Sequence, residues 1–129
     1  MNEVYEFIKK AGVYYLATDD NGKPRVRPFG TINLFEGKLY VQTGKVKDCY
    51  KQMANKQVEL CAYSGSDWLR LTGTLIPDER ISAQEDMLNH YEELKRMYKA
   101  GDGNTIVLYF KDATATFYSF TQEPRTIKF

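Results

Sequence analysis

The stretch RVRPFGTINLFEGKLYVQTGKVK, residues 25–47, decides how this chain is expected to fold. Two segments with strand-like alternation flank Glu36-Gly37, a pair typical of a tight turn, and a helical pattern follows them. If the two segments pair across this turn, Arg25 and Arg27 at one end approach Lys47 at the other. The stretch therefore predicts a hairpin whose open end carries several cations.

Further strands and helices are expected on both sides of this stretch. Alternating or β-branched runs predict strands over residues 12–18, 25–35, 38–43, 57–63, 67–76, 104–110 and 113–120. Apolar side chains at helical spacing predict helices over residues 2–10, 45–55 and 82–98. The last helix is expected to open with a capping box of Ser82 and Glu85 and to close at Gly101.

Turn residues separate most of these strands. The DDNGKP run (19–24) predicts a hairpin turn, because Asn and Gly accept positive φ. Lys111-Asp112 is expected to turn a final hairpin, and Pro77 to end the strand before it. Pro28 cannot donate a ladder hydrogen bond, so its strand is expected at an edge or at a bulge.

Hairpin-linked strands with short inserted helices indicate an antiparallel barrel or sandwich with α segments, not a parallel βαβ sheet. No repeat or linker divides the chain, so residues 1–129 are expected to form one domain. Alternation along the strand 25–35 places Val26, Ile32 and Leu34 on one face. Arg25 and Arg27 then share the other face.

Composition excludes several classes of function. The net charge is +1, from 18 basic and 17 acidic residues, so nucleic acid and membrane surfaces are not expected as partners. No apolar window approaches about 18 residues, the length of a membrane span. Cys49 and Cys61 lack the paired spacing of a metal site and are expected as reduced core residues of a cytoplasmic protein. The single histidine, His90, is expected at the surface, and no hydrolytic triad is recognisable.

The cations of residues 25–47 predict an anion site. Two guanidinium groups on one strand face can each grip two phosphate oxygens. Thr43 and Gly44 precede the expected helix 45–55, whose free N–H groups would point at an anion beside Lys45 and Lys47. The alternative is that these side chains form an ordinary solvated face.

At this point the chain resembles a known family. RVRPFG, LYVQTGKVKDCYKQM and WLRLTG, with IVLYF and TFYSF near the end, are similar to the pyridoxamine 5′-phosphate oxidase-like, FMN-binding split barrels. The nearest subgroup is the short nitroimidazole-resistance-type proteins, and the resemblance covers about residues 1–129. It implies a mainly β (α+β) fold: an antiparallel six- to seven-stranded Greek-key split barrel with three short helices. It also implies a homodimer with FMN bound in grooves between the subunits.

The resemblance assigns expected flavin contacts. The strand matching RVRP would lie along the flavin through the backbone of Val26 and Pro28, with Arg27, and Arg25 beside it, near the phosphate and ribityl chain. The segment matching QTGKVK would wrap the phosphate. The full expected set is Arg25, Val26, Arg27, Pro28, Gln42, Thr43, Lys45, Lys47 and Trp68.

Some of these residues have simpler alternative roles. Trp68 would border the flavin ring, from the partner subunit, or would serve as a subunit contact. Pro28 is alternatively an edge-strand protector, and Gln42 an ordinary exposed strand residue. The family's serine-arginine-lysine phosphate run is replaced here by Val46-Lys47-Asp48, which offers fewer donors.

The predicted function is therefore that of an FMN-dependent oxidoreductase acting on a small molecule with a nicotinamide-type electron donor. No catalytic side chain is assigned, because nothing in the chain marks a committed acid or base. A flavin-binding sensor or carrier without turnover is the alternative, and a deazaflavin or haem in the same groove remains open. A nucleic-acid-binding barrel is a third possibility, disfavoured by the near-neutral charge.

Overall fold

The computed structural model describes residues 1–129 and contains one antiparallel sheet of eight strands. The strands are β1 Tyr14–Asp20, β2 Lys23–Phe29, β3 Asn33–Phe35, β4 Lys38–Gly44, β5 Lys56–Ser64, β6 Asp67–Asp78, β7 Thr105–Tyr118 and β8 Arg125–Lys128. The α-helices are α1 Asn2–Ala11, α2 Asp48–Met53 and α3 Ile81–His90, and a 3-10 helix spans Glu92–Arg96. The mainly β, antiparallel split-barrel class expected from the sequence is confirmed, with eight strands instead of six or seven.

The order of the strands leaves the barrel open along one line. The sheet runs β2-β1-β5-β6-β7-β4-β3, with β8 added to β7. Its two end strands, β2 and β3, are joined only by residues 30–32, which bridge at most about 14 Å. The two edges must therefore lie near each other although they do not pair. We call the gap between β2 and β3 the seam.

The barrel interior is filled by one apolar cluster. It includes Leu16 of β1, Val41 of β4, Leu60 of β5 and Leu71 of β6, all fully buried. Burying such a side chain contributes roughly 1.5–3 kcal/mol. On the outside, α3 packs against β4 and β7, so β4 is buried on both faces. The α3 helix thus backs the strands on the β3 side of the seam.

The predicted strand over residues 25–35 is wrong, because the chain leaves the sheet between β2 and β3. The Tyr14 hydroxyl donates to the Thr31 carbonyl at 2.6 Å, and the Tyr91 hydroxyl bonds both the N–H and the carbonyl of Ile32 at 3.0 Å. Tyrosine side chains, and not a neighbouring strand, thus form the hydrogen bonds of these backbone groups. Val26 is 67% exposed and Ile32 is buried, so the expected common face is not formed.

The predicted pairing across Glu36-Gly37 is also wrong beyond its first three residue pairs. Only β3 pairs with β4 there. The β2 strand instead pairs with β1 through the Asn21-Gly22 turn, whose residues have φ of 51° and 90° as expected for such a hairpin. Arg25 and Arg27 therefore lie on the opposite edge of the sheet from β4. Pro28 is on an edge strand, as expected.

The predicted hairpin at Lys111-Asp112 is absent, because β7 runs through this pair as one 14-residue strand. It pairs with β6 along both halves, with a register shift between Thr72 and Thr74. Gly73 permits the bend: a Cβ there would lie 3.3 Å from backbone atoms of Lys111 and Ala113. Pro77 does not end β6, which continues to Asp78.

The helices also differ from expectation. The Ser82–Glu85 capping box does not form, because α3 begins at Ile81 and has no side-chain cap. The predicted helix to residue 98 breaks at Tyr91, whose φ of −139° is not helical. The α2 helix starts at Asp48, not at residue 45, and Val46 is 81% exposed. No helix in the structure has both the length and the apolar character needed to cross a membrane.

Candidate functional site

A cavity of about 240 Å³ opens at the seam. Its walls come from β2 and the residues after it, from the end of β4, from the start of α2, and from the segment around the 3-10 helix. We call it the seam cavity. Its lining residues are Arg27, Pro28, Phe29, Gly30, Thr31, Gln42, Thr43, Lys47, Cys49, Leu94, Met97 and Tyr98.

Arg27 is held rigidly in this cavity without a negative partner. One guanidinium nitrogen donates to the Thr18 hydroxyl at 2.6 Å, and another donates to the Gln52 side-chain oxygen at 2.7 Å. The Thr18 hydroxyl in turn donates to the same Gln52 oxygen at 2.8 Å. No carboxylate lies within ion-pair distance of Arg27. The half-buried positive charge is therefore positioned but not neutralised.

The other predicted cations divide into two kinds. Lys47 lines the cavity and makes no ion pair. Lys45 instead bonds Glu79 at 2.6 Å, and Arg25 lies 3.5 Å from Asp20. Neither Lys45 nor Arg25 lines the cavity. The structure thus brings Arg27 and Lys47 to one cavity because the sheet curls until its two edges lie near each other, and not through the hairpin pairing expected from the sequence.

The turn that carries Lys47 is fixed by the loop before β7. The Asn104 carbonyl accepts from the Lys45 N–H at 2.8 Å, and the Asn104 side chain accepts from the Val46 N–H at 3.2 Å. The Lys47 N–H donates to the Gly44 carbonyl at 3.1 Å. The expectation of free N–H groups over residues 45–47 is therefore wrong. The N–H groups of these three residues are therefore not available to an anion.

Asp102 organises that loop. Its carboxylate accepts backbone N–H groups from Lys99 at 3.0 Å and from Thr105 and Asn104 at 2.8 Å. These hydrogen bonds, that from Lys99 first, lower the pKa of Asp102. Asp102 thus orders Asn104, which in turn holds the turn before Lys47.

Three neutral polar residues of the cavity wall are already engaged within the chain. The Thr31 hydroxyl accepts from the Gln42 N–H at 3.1 Å. The Gln42 side chain donates to the Thr43 carbonyl and to the Thr105 hydroxyl at 3.1 and 3.2 Å. The Thr43 hydroxyl is 3.5 Å from the Cys49 sulfur. Gln42 is only 5% exposed, so the alternative of an ordinary exposed strand residue is wrong.

Besides Arg25 and Lys45, two more predicted contacts, Val26 and Trp68, lie outside the cavity of this chain. Trp68 stacks on Tyr118, with ring centroids 5.4 Å apart, and Val26 is largely exposed. Both side chains lie on the outer face of the sheet, together with Tyr15 and Tyr63, which are 55% and 60% exposed. Their assignment as flavin contacts stays a prediction.

Several cavity residues were not predicted. Phe29 and Thr31 share a face with Arg27 in the two-residue alternation of the predicted strand 25–35, so the sequence pattern could have identified them. Cys49 was expected as a core residue, and it is buried against Thr43. Leu94 and Tyr98 belong to the apolar side chains at helical spacing that predicted the helix 82–98, and Met97 lies outside that pattern. No group of three or more His, Cys, Asp or Glu side chains could hold a metal ion, and His90 is exposed as expected.

No protein-family model and no curated protein matches the chain. Solved structures do match it. A NimC/NimA family protein from Clostridium acetobutylicum is 41% identical, covers 100% of this chain and 92% of its own, and gives a TM-score of 0.96.

Two more distant structures share the fold. General Stress Protein 26 from Bacillus anthracis is 18% identical, with coverage of 99% and 97% and a TM-score of 0.78. A pyridoxamine 5′-phosphate oxidase-related, FMN-binding protein from Nostoc punctiforme is 15% identical, with coverage of 99% and 93% and a TM-score of 0.62. At these identities the likeness is one of fold alone.

Proposed function

Because the chain belongs to the NimC/NimA family, we propose that it is a flavin-binding protein that uses FMN as an oxidoreductase on a small molecule. The observation that carries the proposal is the pair of cations in the seam cavity. Arg27 and Lys47 line one cavity and have no carboxylate partner, whereas Arg25 and Lys45 are paired. An unneutralised, preorganised guanidinium is the arrangement that a phosphate group requires.

The other cavity residues are compatible with a flavin nucleotide. Phosphate groups need hydrogen-bond donors, which Arg27 and Lys47 offer on one side of the cavity. The flavin ring is planar and largely apolar. Phe29, Leu94 and Met97 supply an apolar side of the same cavity. One protein of the same fold is FMN-binding, and FMN is the flavin that we propose here.

A bound flavin would supply hydride and single-electron chemistry. The protein's share is binding, orientation and electrostatics. Arg27 would hold the cofactor through a guanidinium whose direction Thr18 and Gln52 already fix. We assign no side chain as an acid or base, and a nicotinamide-type molecule is the proposed electron donor.

We also propose that two copies of the chain complete the site. The seam cavity, at about 240 Å³, is smaller than the roughly 300–1,000 Å³ typical of small-molecule pockets. The exposed Tyr15, Val26 and Tyr63 offer an apolar face for a second subunit. In a homodimer, Trp68 of one copy would border the flavin of the other.

A flavin-binding sensor or carrier without turnover is the second candidate. One observation favours it: the lining of the seam cavity contains no Asp, Glu or His that could exchange protons with a substrate. For either function we propose the cytoplasm as location, because a reducing compartment suits the two free cysteines.

The absorption spectrum of the purified protein, before and after loading with FMN and removal of excess, tests the proposal. We expect flavin bands that remain with the protein after gel filtration, at an elution volume of a dimer. Anaerobic addition of NADH or NADPH should then bleach the bands if the protein is an oxidoreductase. Stable bands that neither donor bleaches would favour the sensor or carrier. A colourless protein that does not take up FMN would contradict both.

A further inference from the structure

Tyr98 is the one buried polar side chain of the seam cavity whose polar group is not engaged within the chain. The residue is only 9% exposed. Its hydroxyl makes no hydrogen bond to protein, although every fully buried side-chain polar atom in the structure has a partner. Tyr98 lines the seam cavity, and its unpartnered hydroxyl is not fully buried, so it is accessible from outside the chain.

Two features place this hydroxyl beside the turn that carries Lys47. A Cβ on Gly44 would lie 3.1 Å from the Tyr98 oxygen and 3.3 Å from its ring, so only glycine allows the tyrosine to approach the end of β4. The carbonyl of the same glycine accepts the Lys47 N–H. The Tyr98 hydroxyl thus sits next to the backbone that fixes Lys47.

The break in the predicted long helix is what brings Tyr98 here. The chain leaves α3 at Tyr91, whose hydroxyl is bonded to the Ile32 backbone at the seam. The 3-10 helix contains Leu94, and Met97 and Tyr98 follow it along the cavity. The Tyr98 N–H donates to the Leu94 carbonyl at 2.9 Å. The backbone of Tyr98 is thus bonded to the 3-10 helix, while its hydroxyl makes no hydrogen bond within the chain.

We infer that Tyr98 is the third phosphate donor of this site and the residue that makes it select phosphorylated over unphosphorylated flavin. The inference rests on the proposed function. A phenol O–H donates a short, charge-assisted hydrogen bond to an oxyanion without adding a charge. Together, Arg27, Lys47 and Tyr98 approach one cavity from β2, from the turn after β4 and from the 3-10 segment.

The test compares Tyr98→Phe with the wild-type protein for two ligands that differ only in the phosphate, FMN and riboflavin. We expect the variant to bind FMN roughly 10- to 100-fold more weakly, as for the loss of one hydrogen bond to a charged group. Riboflavin affinity should stay within about twofold. Tyr109→Phe is the matched control, because that tyrosine packs on Tyr40 of β4 and does not line the cavity; it should change neither affinity.

The outcomes separate the inference from the proposed function. Equal weakening of both ligands by Tyr98→Phe would mean that the ring only packs against the flavin, and unchanged FMN affinity would mean that the hydroxyl is not a donor; either overturns the inference. If the wild-type protein binds neither flavin, the proposed function fails, and inorganic phosphate replaces FMN as the probe. If phosphate raises the melting temperature of the wild type but not that of Tyr98→Phe, the assignment of Tyr98 as a phosphate donor is preserved. If phosphate does not stabilise the wild type, that assignment is overturned too.

Discussion

Two polar regions of this molecule each contain an arginine and a tyrosine. They differ in whether these side chains have partners within the folded chain. At the end of β6, Asp78 accepts from the Tyr40 hydroxyl at 2.8 Å and from Arg80 at 2.9 Å, and Arg80 reaches Glu36 at 2.9 Å. We call this the Asp78 cluster. In the seam cavity, Arg27 has no carboxylate and the Tyr98 hydroxyl has no partner.

The difference separates stability from binding. In the Asp78 cluster the charged groups are paired with one another in the folded chain. These pairs join β4, β6 and the β3–β4 turn. In the seam cavity the fold positions the donors but gives them no negatively charged partner, so they are available to a ligand. The comparison predicts opposite phenotypes for the two regions.

The largest expected effect is on binding, from Arg27→Ala. We expect FMN affinity to fall about 100-fold, because a preorganised charge-assisted contact is lost. The free energy of unfolding of the ligand-free protein should change by less than about 1 kcal/mol, since the Thr18 hydroxyl still donates to Gln52. Flavin fluorescence titration and urea unfolding measure the two quantities.

Arg25→Ala is the matched variant for Arg27→Ala. The Arg25 charge is already paired with Asp20 at the surface, so we expect a loss of FMN affinity of at most about threefold. Equal losses in the two variants would contradict the division of the cations into paired and unpaired ones.

The reverse phenotype is expected from Asp78→Ala. Its removal leaves the buried Tyr40 hydroxyl without an acceptor, so the free energy of unfolding should fall by about 2 kcal/mol. FMN affinity should be unchanged. Urea unfolding at fixed protein concentration gives the first value, and titration of the folded variant gives the second. A variant that loses flavin affinity but keeps its stability would show that the two regions are not separable.

The Asp78 cluster should also make stability depend on pH in the acid range. The Arg80 guanidinium, followed by the Tyr40 hydroxyl, lowers the pKa of Asp78 to about 2, although burial acts in the opposite direction. The unfolded value is about 3.9, so this carboxylate contributes roughly 2 kcal/mol that is fully present above about pH 4 and lost as the pH falls toward 2. The stability difference between wild type and Asp78→Asn should therefore shrink from pH 5 to pH 2. A difference independent of pH would refute the assignment.

Of the two unpaired cations, Lys47 is expected to contribute less to binding than Arg27, so Lys47→Ala should have the smaller effect. Lys47 is a flexible, exposed cation, so we expect FMN affinity to fall about five- to tenfold and to become less sensitive to salt. Lys45→Ala should have a smaller effect, because Lys45 is bonded to Glu79. Titrations at two salt concentrations distinguish the variants. A larger loss from Lys45→Ala would mean that the Glu79 pair opens to bind the ligand.

Local signals in the sequence were reliable for elements formed by residues that are close together in the sequence. The Asn21-Gly22 turn, the α1 helix and the β5–β6 hairpin follow from turn chemistry and periodicity. The family resemblance was confirmed by a solved relative that covers the whole chain. Predictions failed where side chains distant in the sequence determine where a helix or strand ends. Tyr91 breaks a helix and Tyr14 helps to end a strand, each through a hydrogen bond to the seam residues.

The amino-acid sequence by itself determined the mainly β class, the family and the presence of cations in residues 25–47. It could not determine which of those cations remain free, because ion pairing depends on residues such as Asp20 and Glu79 that only folding brings close. The hairpin expected to join Arg27 to Lys47 does not form, yet curling of the sheet brings both to one cavity. Tertiary structure alone decided that convergence, since it arises from packing around a shared core and not from pairing between neighbouring strands.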